Sequence, residues 1–244
     1  MSIHRIFCET LPADGTLQVT GPEAHHALRV KRLEKGDPVR VCDGRGRLCD
    51  ATVTQSGRNR LGEWEMELAI HGIRTLAAVS PRVEVFSGVP KGPRLEDMID
   101  QLSQVGVAAW RPVLCERTVV EPRQGKLDRL HRVAVEAAKQ CGRAWIMEID
   151  EAVPWNEAIR REEALRVIVA DSSGEALRPG APSGFIRLLV GPEGGLTSDE
   201  LARARSAGAE IASFGAHTMR IETAAAVAAG ILLAAAGGRP ENNA

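Results

Sequence analysis

Apolar and polar positions along the 244 residues follow two different periods. Up to about residue 75 the apolar positions recur at every second residue in short runs. Within Glu63–Ile70, the residues Trp64, Met66, Leu68 and Ile70 alternate, which places them on one face of a strand. Arg5–Glu9, Leu17–Thr20, Pro38–Cys42 and Leu48–Thr54 are further strand candidates, and Glu23–Val30 reads as one short helix. Asp43-Gly44-Arg45-Gly46, between two of these strands, is a hairpin turn, because glycine takes positive φ at little cost. The pattern predicts a small β-barrel over residues 1–75.

Near Arg74–Pro81 the pattern changes to strands alternating with helices. Strands are expected at Val83–Val89, Pro112–Cys115, Val167–Asp171, Phe185–Val190 and Glu210–Phe214. Leu95, Met98, Ile99, Leu102 and Val105 have helical spacing, and Gly106 is a fitting stop. A second helix is expected over Leu127–Gln140, with Leu130, Val133, Ala137 and Cys141 on its buried stripe. A third follows Thr197-Ser198-Asp199-Glu200, a capping box, and ends at Gly208. A fourth, Ala224–Ala236, is expected to be capped by Thr223. This alternation predicts an α/β domain with a mostly parallel sheet over residues 76–244. The tail Gly237–Ala244 reads as disordered.

Composition narrows the chemistry. An apolar share of 44% with 26% charged residues is that of a globular domain with a real core. Tyr is absent, so phenol chemistry is excluded. The five cysteines form no C-x-x-C pair, so no zinc or redox motif is indicated. The odd count and the lack of an apolar leader predict a cytoplasmic protein. The longest apolar stretch, near Ala224–Ala236, is too short for the ~20 residues that span a bilayer. Net charge is −1, but His25–Arg47 carries seven Arg or Lys against three acids. A local basic patch on a near-neutral protein suits a nucleic-acid footprint or a solvated surface.

Three segments are candidates for chemistry. Val190-Gly191-Pro192-Glu193-Gly194-Gly195 ends an apolar strand, where α/β sheets bind ligands. It is either such a site or a tight turn. No Gly-Lys-Ser/Thr follows, so it is not a P-loop. Phe214–Thr223 also joins a strand to a helix. There Arg220 and Glu222 flank Ile221 and would share one face of an extended segment. Lys91-Gly92-Pro93-Arg94 sets cations before a helix, against the macrodipole. Asp171-Ser172-Ser173-Gly174 has turn chemistry beside the same strand ends. Glu200 is read as structural. His25-His26 has no further metal ligand nearby, so RNA contact or packing is expected and no metal.

Together these segments resemble the RsmE-type 16S rRNA (uracil-1498-N3)-methyltransferases of the SPOUT class. The resemblance runs through Gly21-Pro22-Glu23-Ala24-His25-His26, Asp43-Gly44-Arg45-Gly46, Lys91-Gly92-Pro93-Arg94 and Ala137-Ala138-Lys139-Gln140-Cys141-Gly142-Arg143. It is most specific at Gly191-Pro192-Glu193-Gly194-Gly195-Leu196-Thr197 followed by Met219-Arg220-Ile221-Glu222-Thr223-Ala224. It departs at Gln104-Val105, near Met147 and at Ala216-His217. The resemblance implies a PUA-like RNA-binding barrel, then a domain with a deep C-terminal trefoil knot. It implies a homodimer that acts on 16S rRNA or the small ribosomal subunit. It also implies S-adenosylmethionine held by Val190, Gly191, Glu193, Gly194, Phe214, Gly215, Met219, Arg220 and Thr223. Arg220 would stabilise a uracil anion, and Glu222 would orient it or act as base. Arg5, His25, His26, Arg29, Lys31, Arg32, Lys91 and Arg94 would contact RNA. The alternatives are a related methyltransferase with another target atom or RNA, or a non-catalytic ribosome-assembly factor.

Overall fold

The computed structural model describes residues 3–12, 15–119, 124–177 and 184–235. These form two compact units. The first takes in the chain up to Ala78 together with Ala138–Ile146, and the second takes in Val79–Ala137 and the chain from Met147 onward.

The first unit holds strands β1 (His4–Phe7), β2 (Thr16–Thr20), β3 (Pro38–Cys42), β4 (Arg47–Arg58) and β5 (Trp64–Thr75). Their order in the sheet is β1-β3-β4-β5-β2. β1 lies parallel to β3, and the other pairings are antiparallel. Between β2 and β3 come helix α1 (Gly21–His25) and a π-helical turn, His26–Val30. Ile6, Val19, Val41, Val53, Met66 and Leu68 come from all five strands. They share one core with Ala24 and Ala27. A sheet whose first and last strands meet in one core is curled, as a small barrel requires. The expected hairpin joins β3 to β4. The Asp43 carboxylate accepts from the N–H groups of Arg45 at 2.8 Å and Arg47 at 3.0 Å, and Gly44 holds φ 73°. β4 and β5 both extend several residues beyond their expected ends.

The second unit runs β6 (Arg82–Ser87), α2 (Arg94–Val105), β7 (Ala109–Leu114), α3 (Gln124–Cys141), β8 (Glu148–Ile149), β9 (Val153–Pro154), α4 (Trp155–Ala158), β10 (Leu165–Ala176), β11 (Phe185–Val190), α5 (Ser198–Ser206), β12 (Glu210–Ser213) and α6 (Ile221–Ala235). All its strand pairings are parallel, in the order β12-β10-β11-β6-β7-β8, with β9 also on β7. Phe86, Val113, Val169 and Leu189 face a core that includes Trp155 of α4 and Ala204 of α5. Their buried neighbours Val85, Ile168 and Leu188 point to the opposite face, where α6 packs on α2, β6 and β11. After β12 at the sheet edge, the chain must therefore pass β10 and β11 to set α6 on the sheet centre. That return is where the resemblance places the C-terminal trefoil knot.

Some sequence expectations shift. Helix α6 begins at Ile221, so Thr223 lies in its first turn and is not the cap. The N–H of Ala224 already donates to the Arg220 carbonyl at 2.8 Å. Arg220 and Glu222 thus do not share an extended face. Along α3 the buried residues are Leu127, Leu130, Ala134, Val135, Ala137 and Ala138, while Val133 is half-buried and Cys141 exposed. The short elements β8, β9 and α4 carry too few residues to show a period. The expected disordered tail lies outside the described residues.

Ser87 is a polar residue wholly buried on β6. Its hydroxyl accepts the indole N–H of buried Trp110 at 2.9 Å. Ser87→Ala leaves that donor without a partner, a loss of about 2 kcal/mol. Urea unfolding is expected to show the lower midpoint; an unchanged midpoint would remove this bond from the account of the core.

Candidate functional site

The loops that follow β11 and β12, with Arg94 at the start of α2, meet an irregular stretch of β10 beyond the carboxyl edge of the second unit's sheet. Together they line a cleft of about 520 Å³. This is the position in an open α/β sheet where strand order reverses, between β6 and β11. Ala170–Ser172 come from β10, where its pairing with β12 breaks register between Ala170 and Glu175.

The glycine loop is set by close approach. A Cβ at Gly88, just after β6, would lie 2.6 Å from the Pro192 Cα, so only glycine lets these two backbones touch. Gly195 holds φ 72° and donates to the Pro192 carbonyl at 2.8 Å, which closes the turn. Past the turn, the expected capping box is present on α5. Glu200 accepts from the Thr197 N–H at 2.8 Å, and the Thr197 hydroxyl accepts from the Glu200 N–H at 3.2 Å. The other Glu200 oxygen accepts from the Glu116 N–H at 2.8 Å. Arg117 donates to the Gly194 carbonyl at 2.8 Å. The segment after β7 thus ties the glycine loop at both ends, and Glu200 is structural as expected.

Charges stand at one side of the cleft. Arg94 lies 3.5 Å from Glu193 and 3.9 Å from Glu222, and Lys91 lies 4.0 Å from Glu193. One Glu222 oxygen faces Arg94. The other is buried and has no hydrogen-bond partner. Arg220 is exposed, lines the cleft, and makes no ion pair among the described residues. The orienting contact expected between Glu222 and Arg220 is therefore made with Arg94, because Glu222 has turned into the first turn of α6.

Of the residues expected around a cofactor, Val190, Gly191, Glu193, Phe214, Gly215, Met219 and Arg220 line the cleft. Gly194 instead packs against Arg117, and Thr223 is exposed on α6 away from the lining. Asp171 and Ser172 line it too, as their turn chemistry suggested. Leu196 and Ile221, which stand inside the two motifs but outside the expected cofactor set, and His217, at a departure from the family pattern, also contribute. Arg94, expected on the RNA side, faces this cleft.

The other basic residues belong to the first unit. Arg29, Lys31 and Arg32 are exposed on and just after the π-helical turn. His25 is exposed and tilted against Trp64, and His26 stacks on His4 with ring centroids 5.8 Å apart. Arg5 is half-buried, its guanidinium packed over Gly142. Burial first, and then Arg40, lowers its pKa. Two members of the basic run are engaged internally: Arg40 pairs with Asp50 at 2.9 Å, and Arg47 donates to the Leu11 carbonyl. Among the described residues no group of three or more His, Cys, Asp or Glu is placed to hold a metal, and no helix is long and apolar enough to cross a membrane.

Comparison with known proteins places both units. Residues 78–233 match the profile of an RNA methyltransferase domain, and residues 19–61 that of an RNA methyltransferase PUA domain. The chain is 33% identical over 237 residues to the ribosomal RNA small subunit methyltransferase E of Mycobacterium bovis, covering 92% of this chain and 88% of that one. It is 30% identical over 232 residues to the protein of the same name from Synechocystis, covering 88% and 72%. A ribosomal RNA small subunit methyltransferase E from Neisseria gonorrhoeae, solved with S-adenosyl methionine bound, has the same fold. The TM-score is 0.84, at 24% identity, over 96% of this chain and 98% of that one.

Glu200→Ala removes a capping box and strands the Glu116 N–H, at a cost of about 2 kcal/mol. For a chain of this size that lowers the thermal midpoint by roughly 4–8 °C. Thr197→Ala removes the cap hydroxyl and its long contact to the Glu116 carboxylate but leaves the Glu200 bond to the Glu116 N–H, and is expected to cost about half as much. Equal losses in calorimetry would mean that the bond to Glu116 contributes nothing.

Proposed function

The chain belongs to the ribosomal RNA small subunit methyltransferase E family, and from that premise we propose that it transfers a methyl group from S-adenosylmethionine to N3 of a uridine in 16S rRNA, position 1498 by family resemblance. One observation carries the reading: the glycine loop and the segment before α6 converge on a single cleft, in a chain a third identical to named members of the family. The cytoplasm, where small ribosomal subunits are, is its expected location.

The cleft fits the cofactor. Its volume lies within the ~300–1,000 Å³ usual for ligand sites. Backbone of Val190, Gly191 and Gly215 would hold the polar edges of the group, and Leu196, Met219 and Ile221 supply an apolar wall. The carboxylates of Glu193 and Asp171 suit its cationic end. When bound, the group supplies an electrophilic methyl carbon. The protein supplies orientation and charge. N3 of uracil carries a weakly acidic proton, and the reaction releases it to solvent. The guanidinium of Arg220 favours the deprotonated base electrostatically. Arg94 also lines the cleft, but its charge is largely balanced by Glu193 and Glu222. Glu222 acts as a positioning residue for Arg94; a carboxylate beside a guanidinium is a weak base. A target uridine must stand unpaired to enter.

The family's homodimer has a candidate surface in the second unit. Val105 of α2 and Val227 and Ile231 of α6 are apolar and more than a third exposed. Val227→Asp together with Ile231→Asp is expected to give monomers in sedimentation; an unchanged dimer would place the interface elsewhere.

The central test is transfer of labelled methyl to small subunits that lack the modification, with the product nucleoside identified by mass spectrometry. 3-Methyluridine is the expected product. Any other modified nucleoside, or none, overturns the assignment. Arg220→Ala is expected to lower turnover by about 10²–10³ while leaving RNA affinity within a few-fold. Loss of a cation raises the pKa of N3–H, so the pH–rate profile should move to higher pH. Unchanged turnover would remove Arg220 from the chemistry.

A further inference from the structure

The first unit contains a second cleft, of about 580 Å³, far from the glycine loop in sequence and lined by Leu28, Arg29, Arg32, Leu33 and Trp64, among others. Trp64 is the aromatic centre of this surface. The Arg58 guanidinium lies 4.5 Å from its ring centroid and the Arg29 guanidinium 5.5 Å, with His25 tilted at 6.3 Å. Arg29 and Arg32 make no ion pair among the described residues, and Glu34 is the one carboxylate on the cleft wall.

The backbone beneath is unusual in two independent ways. Arg29 sits in a π-helical turn, a geometry that recurs at functional sites. Arg32 follows with φ 58°, a left-handed conformation that is unfavourable for a non-glycine residue. A glycine at this position would avoid the cost. The chain instead places a cation there, at the mouth of the cleft.

An indole with guanidiniums on it offers a flat, electron-rich and cationic stack. That suits the π-face of a nucleobase, and unpaired cations beside it suit a phosphate. We propose that this cleft binds one unpaired nucleotide of the substrate RNA, its base extending the Trp64–Arg29 stack and its phosphate held by Arg32. A duplex presents no free base face, so the site selects single-stranded RNA. The proposal rests on the reading of the chain as an rRNA methyltransferase. It adds a recognition point for a nucleotide other than the one that receives the methyl group.

The test uses the full chain and a fluorescein-labelled short oligouridylate, read by anisotropy, with duplex RNA of the same length as comparator. The oligouridylate should bind more tightly than the duplex. Trp64→Ala should weaken it by about tenfold, and Trp64→Phe, which keeps a stacking face, by much less. Arg32→Gln should make the salt dependence shallower, by roughly 0.7 in the slope of log affinity against log salt. S-adenosylmethionine affinity, measured by calorimetry on each variant, reports that the chain is folded. Wild-type affinity for the oligouridylate in a folded Trp64→Ala variant overturns the proposal, as does a preference for the duplex. Trp64-dependent binding by a chain that methylates no subunit would instead retain this site and overturn the enzymatic reading.

Discussion

The second unit is governed by the need to return the chain from the sheet edge to its centre. β12 is the outermost strand, yet the apolar face of α6 finds its partners on β6, β11 and α2. The residues between, Phe214–Arg220, must therefore cross the ends of β10 and β11. They can do so only if the loops there leave room and stay put. Room comes from glycine, since Gly88 against Pro192 admits no side chain. Fixity comes from Glu200, which is buried and holds N–H groups of two separate loops. The cleft is a consequence of this crossing: three segments brought together to bury a helix leave exposed backbone around a shared space.

That origin explains how the charges are divided. Arg94 stands on the first turn of α2, and Glu222 on the first turn of α6, the two helices that pack together. Their contact, with Glu193 and Lys91, forms a run of alternating charge along one wall. Arg220 lies one residue before α6 and outside that run. A guanidinium without an ion-pair partner keeps its full field for whatever enters the cleft, whereas one flanked by two carboxylates is largely balanced. The separation of a neutralised wall from Arg220, which makes no ion pair among the described residues, follows from where α6 begins.

The start of α6 is also where the sequence was hardest to read. Long alternating or helical runs such as Trp64–Ile70 and Leu95–Val105 declare themselves through burial, and both appear in the structure. Thr197 and Glu200 do so through cap chemistry. At Met219–Ala224 two signals compete: Thr223 is a good cap by type, but burial of Ile221 against the sheet extends the helix back past it. Packing outweighs a cap preference of about 1 kcal/mol. The knot was legible only through resemblance, because local pattern carries no information about threading. Trp64 shows the reverse case: its place on the apolar face of β5 is evident from spacing, while of the two arginines stacked on it Arg58 is its cross-strand neighbour on β4 and Arg29 comes from a distant part of the chain.

The same reasoning sorts the basic residues of the first unit by burial. Arg5 sits on β1 and packs its guanidinium over the backbone of Gly142, where any side chain would collide with it. Lys139, one turn earlier on α3, is nearly buried and pairs with Glu23 at 2.7 Å, and Glu23 also accepts the Phe7 N–H. These contacts tie Ala138–Ile146 into the first unit beside Gly44 and Gly46, which press on Ile146 and Trp145. A cation held this way, with a pKa already lowered by burial, is spent on the fold. Arg29, Lys31 and Arg32 are exposed on and just after the π-helical turn and make no ion pair among the described residues, although Arg29 also stacks on Trp64. Burial, which sequence charge counting cannot see, separates the scaffold cations from those that remain exposed.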